Sequence, residues 1–398
     1  MKIQLLVLFG GKSVEHEISI ISAIQAIHHI DREAYDVIPV YMTKEQDFYT
    51  GPEIASIEAY RDLAGLVKRS QKVILAKEED RVYVMSHPSA RGFKKIKKPI
   101  DIALPIVHGS HVEDGTLQGY LKTLGLPFVG CDVVSSAIGI DKCFAKSVLK
   151  DHGLPVLDGM TCRSFAYERD PESTLAAIEG RFAYPVIVKP ATLGSSIGIS
   201  KAADRDELRD ALDLAFSFAI KVLIEPAVVH LREINCSVIG DAEEAEASEC
   251  EEPLNATTIL SYEDKYIGNA SKAGSQGMAT LSRQIPAAIT PEERSEIRSL
   301  AVKTFAALDC NGLVRIDFLY DVDAGRIYIN EVNTIPGSLA FYLWEPLGIP
   351  YGKLIDRLIR LGLKRVRNEK GLMDSFDTNV LSLCSNAGLK GSKGKLKY

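Results

Sequence analysis

The sequence predicts an α/β protein whose last part turns to α+β, and three observations carry that prediction. An apolar run at residues 2–9 is followed by two glycines, an amphipathic stretch and a second apolar run, "YDVIPVYM". Strand, helix, strand implies a parallel sheet. A third run, "IDIALPIVHG", gives a further buried strand ending at His108. Near the other end, "VRIDFLYDVDAGRIYINEVN" alternates apolar and polar residues around a short turn, which predicts an antiparallel hairpin. The chain has 398 residues, too many for one ordinary core, and a prior of about 150 residues per domain suggests two or three domains.

Taken in order, Gly10 and Gly11 turn the first strand into a helix whose expected apolar face is Val14, Ile18, Ile21 and Ile24. Residues 44–98 read as polar and irregular. A second region opens near Gly130 with the helical stretch "SSAIGIDKCFAKSVLKDHG". It continues through "YPVIVKPATLGSSIGISKA" and "KVLIEPAVV", two strand signals separated by a helix from Asp204 to Ala219. A third region, from about His230, holds "REINCSVIG", a loop rich in lysine, glycine and serine, a helix after Thr290, and the hairpin. The basic tail "GLKGSKGKLKY" is expected to be a disordered end.

Composition excludes several classes. A 46% hydrophobic and 25% charged chain is that of a soluble globular protein, and a net charge of -6 argues against a general nucleic-acid binder. Seven cysteines without a CxxC pair make neither a disulfide framework nor a zinc knuckle, and fit a reducing cytosol. The N-terminal apolar run passes into a turn and helix without a small-residue cleavage pattern, so it reads as a strand. The longest apolar stretch, "ALDLAFSFAIKVLIEPAVV", is broken by Asp213, Lys221, Glu225 and Pro226, which argues against a membrane span.

The hairpin raises an electrostatic question. A turn centred near Asp323 and Ala324 puts Asp317 opposite Glu331 and Arg315 opposite Asn333 on one face, with Val314, Ile316, Phe318 and Val332 on the core face. Like charges directly across a strand pair destabilise it, by roughly 0.2–1 kcal/mol, so a cation belongs between them. Asp317, Glu331 and Asn333 are hard oxygen ligands that suit Mg²⁺ shared with phosphate oxygens. Arg315 beside them would stabilise charge on a transferred phosphoryl group. The competing reading is a solvated salt-bridge ladder in which Arg315 neutralises the acids.

In "VIVKPATLGSSIG", a lysine inside a Val and Ile run asks for an anion, and the Gly and Ser positions after it leave backbone N–H groups to hold phosphate. The plainer alternative is an edge-strand lysine followed by a flexible turn. GxxxxGK[ST] is absent and "FGGKSVE" lacks GxGxxG, so neither a Walker loop nor a dinucleotide fingerprint is present. His108 and His111 lack the HExxH or cysteine partners of a zinc site; His108, at a strand end, is better placed to position substrate. The cluster "GDAEEAEASECEEP", with seven acids from Asp241 to Glu252, reads as a solvated, exposed segment.

Together "GGKSVEHEIS", "VHGSHVEDGTLQGYLKTLGLPFVG", "DK" at 141–142, "VIVKPATLGSSIG", "LIEP", "SYEDKY", "RIDF" and "NEVNTIPG" are specific in this order and spacing. They resemble the ATP-grasp enzymes and, among them, the D-alanine:D-alanine ligase family, over nearly the whole chain. The resemblance implies a three-domain ATP-grasp fold: an N-terminal α/β substrate domain at 1–129, a central domain at 130–229 and a catalytic domain at 230–398. It implies ATP as co-substrate, Mg²⁺ or Mn²⁺, D-amino acids as substrates, a cytoplasmic homodimer, and a role in peptidoglycan precursor synthesis. By the same resemblance Lys142 and Lys189 hold the ATP phosphates under a loop bearing Ser195 and Ser196, with Glu225 near the adenine and Glu233 at the ribose. Asp317, Glu331 and Asn333 match the metal ligands. Glu15, with His108 nearby, matches the acid that holds the first ammonium, and Arg315 and the Gly337 backbone match the groups at the second carboxylate and the transition state. Lys265 and Tyr266 fall in the mobile loop, where the tyrosine connects with Glu15 and Ser195.

The chain departs from the family pattern at "SLAFYLWEP", which puts Tyr342 where a serine is usual near the second carboxylate, and in a longer, more basic loop between Tyr266 and Ile285. The second substrate could therefore be D-alanine, or D-serine, D-lactate or another amine; Tyr266 favours an amine. A nucleotide-binding regulator without turnover is the rival from a different class.

Overall fold

The computed structural model describes residues 2–88, 95–254 and 283–373. The chain divides into a large unit, Met1–Leu363, which holds three sheets, and a second, Lys364–Tyr398, that begins within the last helix. Lys265, Tyr266 and the basic tail lie outside the described residues.

The first sheet is built from β1 (Ile3–Gly10), β2 (Tyr35–Met42), β3 (Phe48–Thr50), β4 (Gln71–Glu78), β5 (Arg81–Ser86), β6 (Lys97–Ile100) and β7 (Ile102–Ile106), with α1 (His16–His29), α2 (Leu63–Arg69) and α3 (Thr116–Leu124). Its order is β6-β5-β4-β3-β2-β1-β7, and β1 runs parallel to both β2 and β7. Leu5 to Phe9 and Ile102 to Ile106 are buried on both faces, as strands covered by helices must be. Residues 44–98 are not irregular: β3 to β6 form an antiparallel extension. Alternation of Val82 and Val84 with polar neighbours was its signal, in strands too short and charged to stand out. The apolar face of α1 also differs from expectation. Ile18, Ile20, Ile24 and Ile27 are buried while Val14 and Ile21 are exposed, because the helix begins only at His16 and its phase is set from there.

The second sheet has the order β10-β9-β11-β8 and is formed by β8 (Met160–Arg163), β9 (Val186–Pro190), β10 (Ser200–Ala202) and β11 (Lys221–Pro226). Helices α4 (Val133–Ile140) and α5 (Lys142–Asp151) precede it in the chain and pack into the core of the third sheet, whereas α6 (Ser164–Arg169), α7 (Pro171–Glu179) and α8 (Arg205–Phe218) pack on the second. The continuous helical stretch after Gly130 is broken at Asp141, whose carboxylate accepts from the Cys143 and Phe144 amides and so starts α5 afresh. Asp204 caps α8 in the same way.

The third sheet, β14-β13-β12-β15-β16, comprises β12 (Leu231–Gly240), β13 (Ala245–Pro253), β14 (Arg283–Gln284), β15 (Gly312–Asp321) and β16 (Arg326–Asn333). Helix α9 (Pro291–Ala307) opens on a Thr290–Glu293 capping box and covers one face through Ile297, Leu300, Ala301 and Phe305. Helix α10 (Tyr351–Glu369) buries Leu354, Ile355, Leu358 and Ile359 in the core of the first sheet. The acidic cluster is not a solvated segment: β13 runs through it, Glu249 and Glu251 are buried, and Glu252 pairs with Arg232 at 2.6 Å. Counting charge alone missed the strand, in which a register shift opposite Cys236 and Val238 lets both Ala247 and Cys250 enter the core.

Among the described residues the cysteines are free thiols, and no helix is long and apolar enough to cross a membrane.

Candidate active site

Strands β1 and β7 are neighbours, yet the chain leaves β1 for β2 on the other side, so a crevice opens at their carboxyl ends. Gly10 and Gly11 turn the chain there with φ of 93° and 98°; a Cβ on Gly10 would stand 2.2 Å from the Met42 carbonyl oxygen. The turn brings Glu15 to the start of α1, where its side chain does not cap the helix but accepts a hydrogen bond from Ser195 Oγ.

Beyond β7, Gly109 N–H donates to Glu113 at 2.9 Å, and the same carboxylate accepts from Ile335 N–H at 2.8 Å and Thr334 Oγ1 at 3.2 Å. Glu113 thus ties the first sheet's loop to the segment after β16. Burial pushes its carboxyl up to about 7, and Glu15 adds to the rise. His108 is buried as well, with Nδ1 2.8 Å from the Ile335 carbonyl and Nε2 3.2 Å from Ser22 Oγ. Burial lowers it to about 4, so the ring is neutral at pH 7 and buttresses the same junction.

A raised carboxyl contributes stability that is fully present below its unfolded value near 4.5 and lost as pH rises through about 7. Glu113→Gln, which does not titrate, is therefore expected to lose less stability than wild type between pH 5 and 7.5. The difference should approach about 3 kcal/mol at most, from about 1.4 kcal/mol per pH unit. Denaturant melts across that range check it, and parallel curves would count against Glu113 as the titrating group.

One lysine comes from the second sheet and one from a helix. Lys189 is on β9, an inner strand between β10 and β11, so it is not an edge lysine. Its ammonium pairs with Glu225 and donates to Asn330 Oδ1 at 3.1 Å. Lys142, in the first turn of α5, donates to the Leu193 carbonyl at 2.7 Å and lies 3.1 Å from Glu331 Oε2. Between β9 and β10, Ser195 and Ser196 both adopt left-handed φ, 54° and 60°; such strain collects at ligand clamps. Ser110 Oγ donates to the Thr192 carbonyl at 3.2 Å and fastens this loop to the crevice.

The hairpin pairs Asp317 with Glu331 and Arg315 with Asn333, and Val314, Ile316, Phe318 and Val332 are in the core. A β-bulge after Asp317 leaves Asn330 without a partner on β15. Two consecutive side chains, Asn330 and Glu331, thereby reach two lysines, which strict alternation would forbid. Arg315 grips Asp317 through Nε and Nη2, both at 2.7 Å, and Asn333 Nδ2 donates to Asp317 at 3.1 Å. The repulsion between Asp317 and Glu331 is thus answered by Arg315 and Lys142. Burial, with Glu331 and Glu251 nearby, still disfavours the ionised form of Asp317 despite Arg315. Asp317, Glu331 and Asn333 offer oxygen donors of the kind that a hard divalent cation takes.

Glu233 is on β12 opposite Leu319, on the same face as Asn235 and Asp317. Gly337 begins a tight segment in which Ser338, Leu339 and Ala340 have φ of 51°, 52° and 44°. Ser338 N–H donates to Ser22 Oγ at 2.9 Å, and the segment delivers Tyr342 to a buried position where its hydroxyl donates to Glu251 at 3.2 Å.

Four participants escaped the sequence reading. Lys146 also pairs with Glu225, and its spacing of four from Lys142 on one helix was the available signal. Glu113, Asn330 and Glu251 had none beyond their neighbourhood, since each reaches the site through a loop tie, a bulge or a strand register. The Glu225 carboxylate is taken up by Lys146 and Lys189, a placement that the resemblance did not imply.

Comparison with known proteins returns one family in two parts. Residues 4–131 match the family model described as D-ala D-ala ligase N-terminus, and residues 148–360 match D-ala D-ala ligase C-terminus. The chain is 38% identical over 378 residues to the D-alanine–D-alanine ligase of Thermosipho melanesiensis, covering 95% of this chain and 98% of that one. It is 39% identical over 380 residues to that of Acetivibrio thermocellus, covering 92% and 96%. Among solved structures, the D-alanine-D-alanine ligase from Coxiella burnetii superposes with a TM-score of 0.76 at 26% identity, covering 94% of this chain and 97% of that one. The VanG D-Ala:D-Ser ligase from Enterococcus faecalis superposes at 0.74 with 29% identity, covering 91% and 100%.

Proposed function

Since this chain belongs to the D-alanine–D-alanine ligase family, we propose that the crevice and the hairpin face are the two walls of its ligase site. The enzyme is an ATP-dependent ligase that joins two D-alanines in making peptidoglycan precursors. Its relatives favour D-alanine as second substrate over D-serine or D-lactate. The carboxylate of the first D-alanine takes the γ-phosphoryl group of ATP to give an acyl phosphate. The amine of the second attacks that carbonyl carbon, and inorganic phosphate leaves.

The observation that carries the assignment is the meeting of Lys142, from α5, and Lys189, from the second sheet, with Glu331 and Asn330 on the third. Anionic reactants cannot approach one another without such cations. In this reading Lys142 and Lys189 hold phosphates under the Ser195–Ser196 loop, Glu225 acts by holding Lys189, and Glu233 takes the ribose. Glu15 holds the first ammonium with Ser195, and His108 and Glu113 hold the junction behind it. Arg315 and the Gly337 backbone receive the second carboxylate and the charge on the transferring group, beside Tyr342. Asp317, Glu331 and Asn333 would hold Mg²⁺ or Mn²⁺, which when bound offsets phosphate charge. Lys265 and Tyr266 belong to the closing loop by their place in "SYEDKY". The functional division at 1–129, 130–229 and 230–398, a homodimer and a cytoplasmic location are part of the same proposal and rest on the family.

Phosphate release from MgATP with D-alanine, against L-alanine and no amino acid, with the product identified by mass, tests it. D-alanine-dependent release with D-alanyl-D-alanine is the expected result; ATP binding without release would support the regulator instead.

A further inference from the structure

We infer that the flank of α9 beside β13 carries a binding site for a phosphate group, separate from the ligase site. Helix α9 covers the face of the third sheet that bears Val314, Ile316 and Phe318, whereas Arg315, Asp317 and Glu331 belong to the opposite face, so the sheet lies between the two sites. A groove of about 550 Å³ runs between α9 and β13, lined by Ala247, Arg294, Ser295, Arg298, Ser299 and Lys303. That volume is within the usual range of small-molecule sites.

The spacing of the helix leaves two of these cations without acids. Three and four residues from Arg298 are Arg294, Ser295, Ala301 and Val302, and from Lys303 they are Ser299, Leu300, Ala306 and Ala307. No carboxylate of α9 is therefore placed to pair with either. Arg294 is taken up elsewhere: Nη1 is 2.8 Å from Glu249 Oε1, and Nη2 donates to the Ala287 carbonyl at 3.3 Å. Arg298 Nη2 donates to the Ala247 carbonyl at 2.8 Å, its one bond among the described residues, and its Nε is closed off from water without an acceptor. Ser295, Ser299 and Lys303 are exposed and bond to no other described residue.

Charge and donor count select the ligand. Arg298 and Lys303 are two uncompensated cations, which a phosphate dianion neutralises and a single carboxylate only half neutralises. The two serine hydroxyls add neutral donors suited to the several oxygens of a tetrahedral anion. The acids beside the groove on β13 already have cations, Glu249 with Arg294 and Glu246 with Arg357 at 2.9 Å. Glu292 and Glu296 of α9 are exposed and do not line it. The groove is larger than one phosphate ion, so inorganic phosphate and a small phosphate monoester both fit.

Calorimetric titration of the full-length enzyme tests the site, with Mg²⁺ and a non-hydrolysable ATP analogue filling the phosphate positions of the ligase site. Inorganic phosphate and glycerol 3-phosphate are the probes, at constant ionic strength. Tighter binding of the first assigns the free ion, and tighter binding of the second assigns a monoester. Arg298→Gln is expected to raise Kd about 10-fold or more, the scale of a charge-assisted bond. Lys303→Gln should raise it about threefold, the scale of an exposed charge. Arg298 also holds the Ala247 carbonyl, so the surface variant Lys303→Gln keeps the test independent of folding. Tungstate soaked into crystals should be found between Arg298 and Lys303, and kcat without added phosphate should match wild type in both variants. An unchanged Kd in both variants, a response to chloride equal to that to phosphate, or tungstate in the ligase site alone overturns the proposal. The site does not depend on the ligase reading: an enzyme that makes no dipeptide would fail that reading and leave this titration to decide.

Discussion

Glu331→Gln is expected to lower kcat/KM by about 10²–10³, the cost of removing one preorganised charge from a transition-state site, while leaving the fold intact. Glu331 is one-quarter exposed and ends on Lys142 rather than in the core, so its loss removes little packing. Two effects act together. The site loses an anionic oxygen facing Asp317, which weakens any divalent cation held between them, and Lys142 loses its ion-pair partner, retaining the Leu193 carbonyl. The Mg²⁺ concentration for half-maximal rate should therefore rise in the variant, with partial recovery of turnover at high Mg²⁺. A Mg²⁺ titration of initial rates alongside thermal melts makes the distinction. Normal turnover at ordinary Mg²⁺ would refute the ligand face, and a lowered Tm with an unchanged Mg²⁺ profile would return the hairpin to a salt-bridge ladder.

Much of this site was legible because strand geometry is rigid. Alternation and a turn position suffice to pair Asp317 with Glu331, and the pairing holds as far as the bulge. Beyond it the register slips by one, so Leu319 is opposite Tyr328. No local residue preference announces a bulge whose purpose is to bring Asn330 to a lysine on another sheet. The same limit explains Glu251. It belongs to an acidic stretch that reads as solvated, and only the order of strands in the third sheet turns that charge inward. Lys189 shows the opposite case: a lysine embedded in Val and Ile demanded an anion from sequence alone, and the structure supplies Glu225.

That buried pair carries the second large effect. Glu225 is 1% exposed and joins two lysines, Lys146 and Lys189, that are nearly as buried. Burial pushes its carboxyl up, but the two ammonium groups more than reverse this and leave it below the ordinary value. Lys146 is displaced downward by burial, against the pull of Glu225. Glu225→Gln is isosteric, so packing survives, yet it strands two cations in a medium that solvates them poorly. Breaking a buried pair in this way costs about 3–5 kcal/mol, which for a domain of this size is a fall in Tm of roughly 10 °C. Lys146→Met added to Glu225→Gln removes one stranded charge, leaves Lys189 with Asn330, and should recover part of the loss. Nucleotide phosphates supply the missing anion, so saturating MgATP should raise the Tm of Glu225→Gln by more than it raises that of wild type. An equal rise in both would mean that phosphate does not reach Lys189, and would remove this lysine from the nucleotide site.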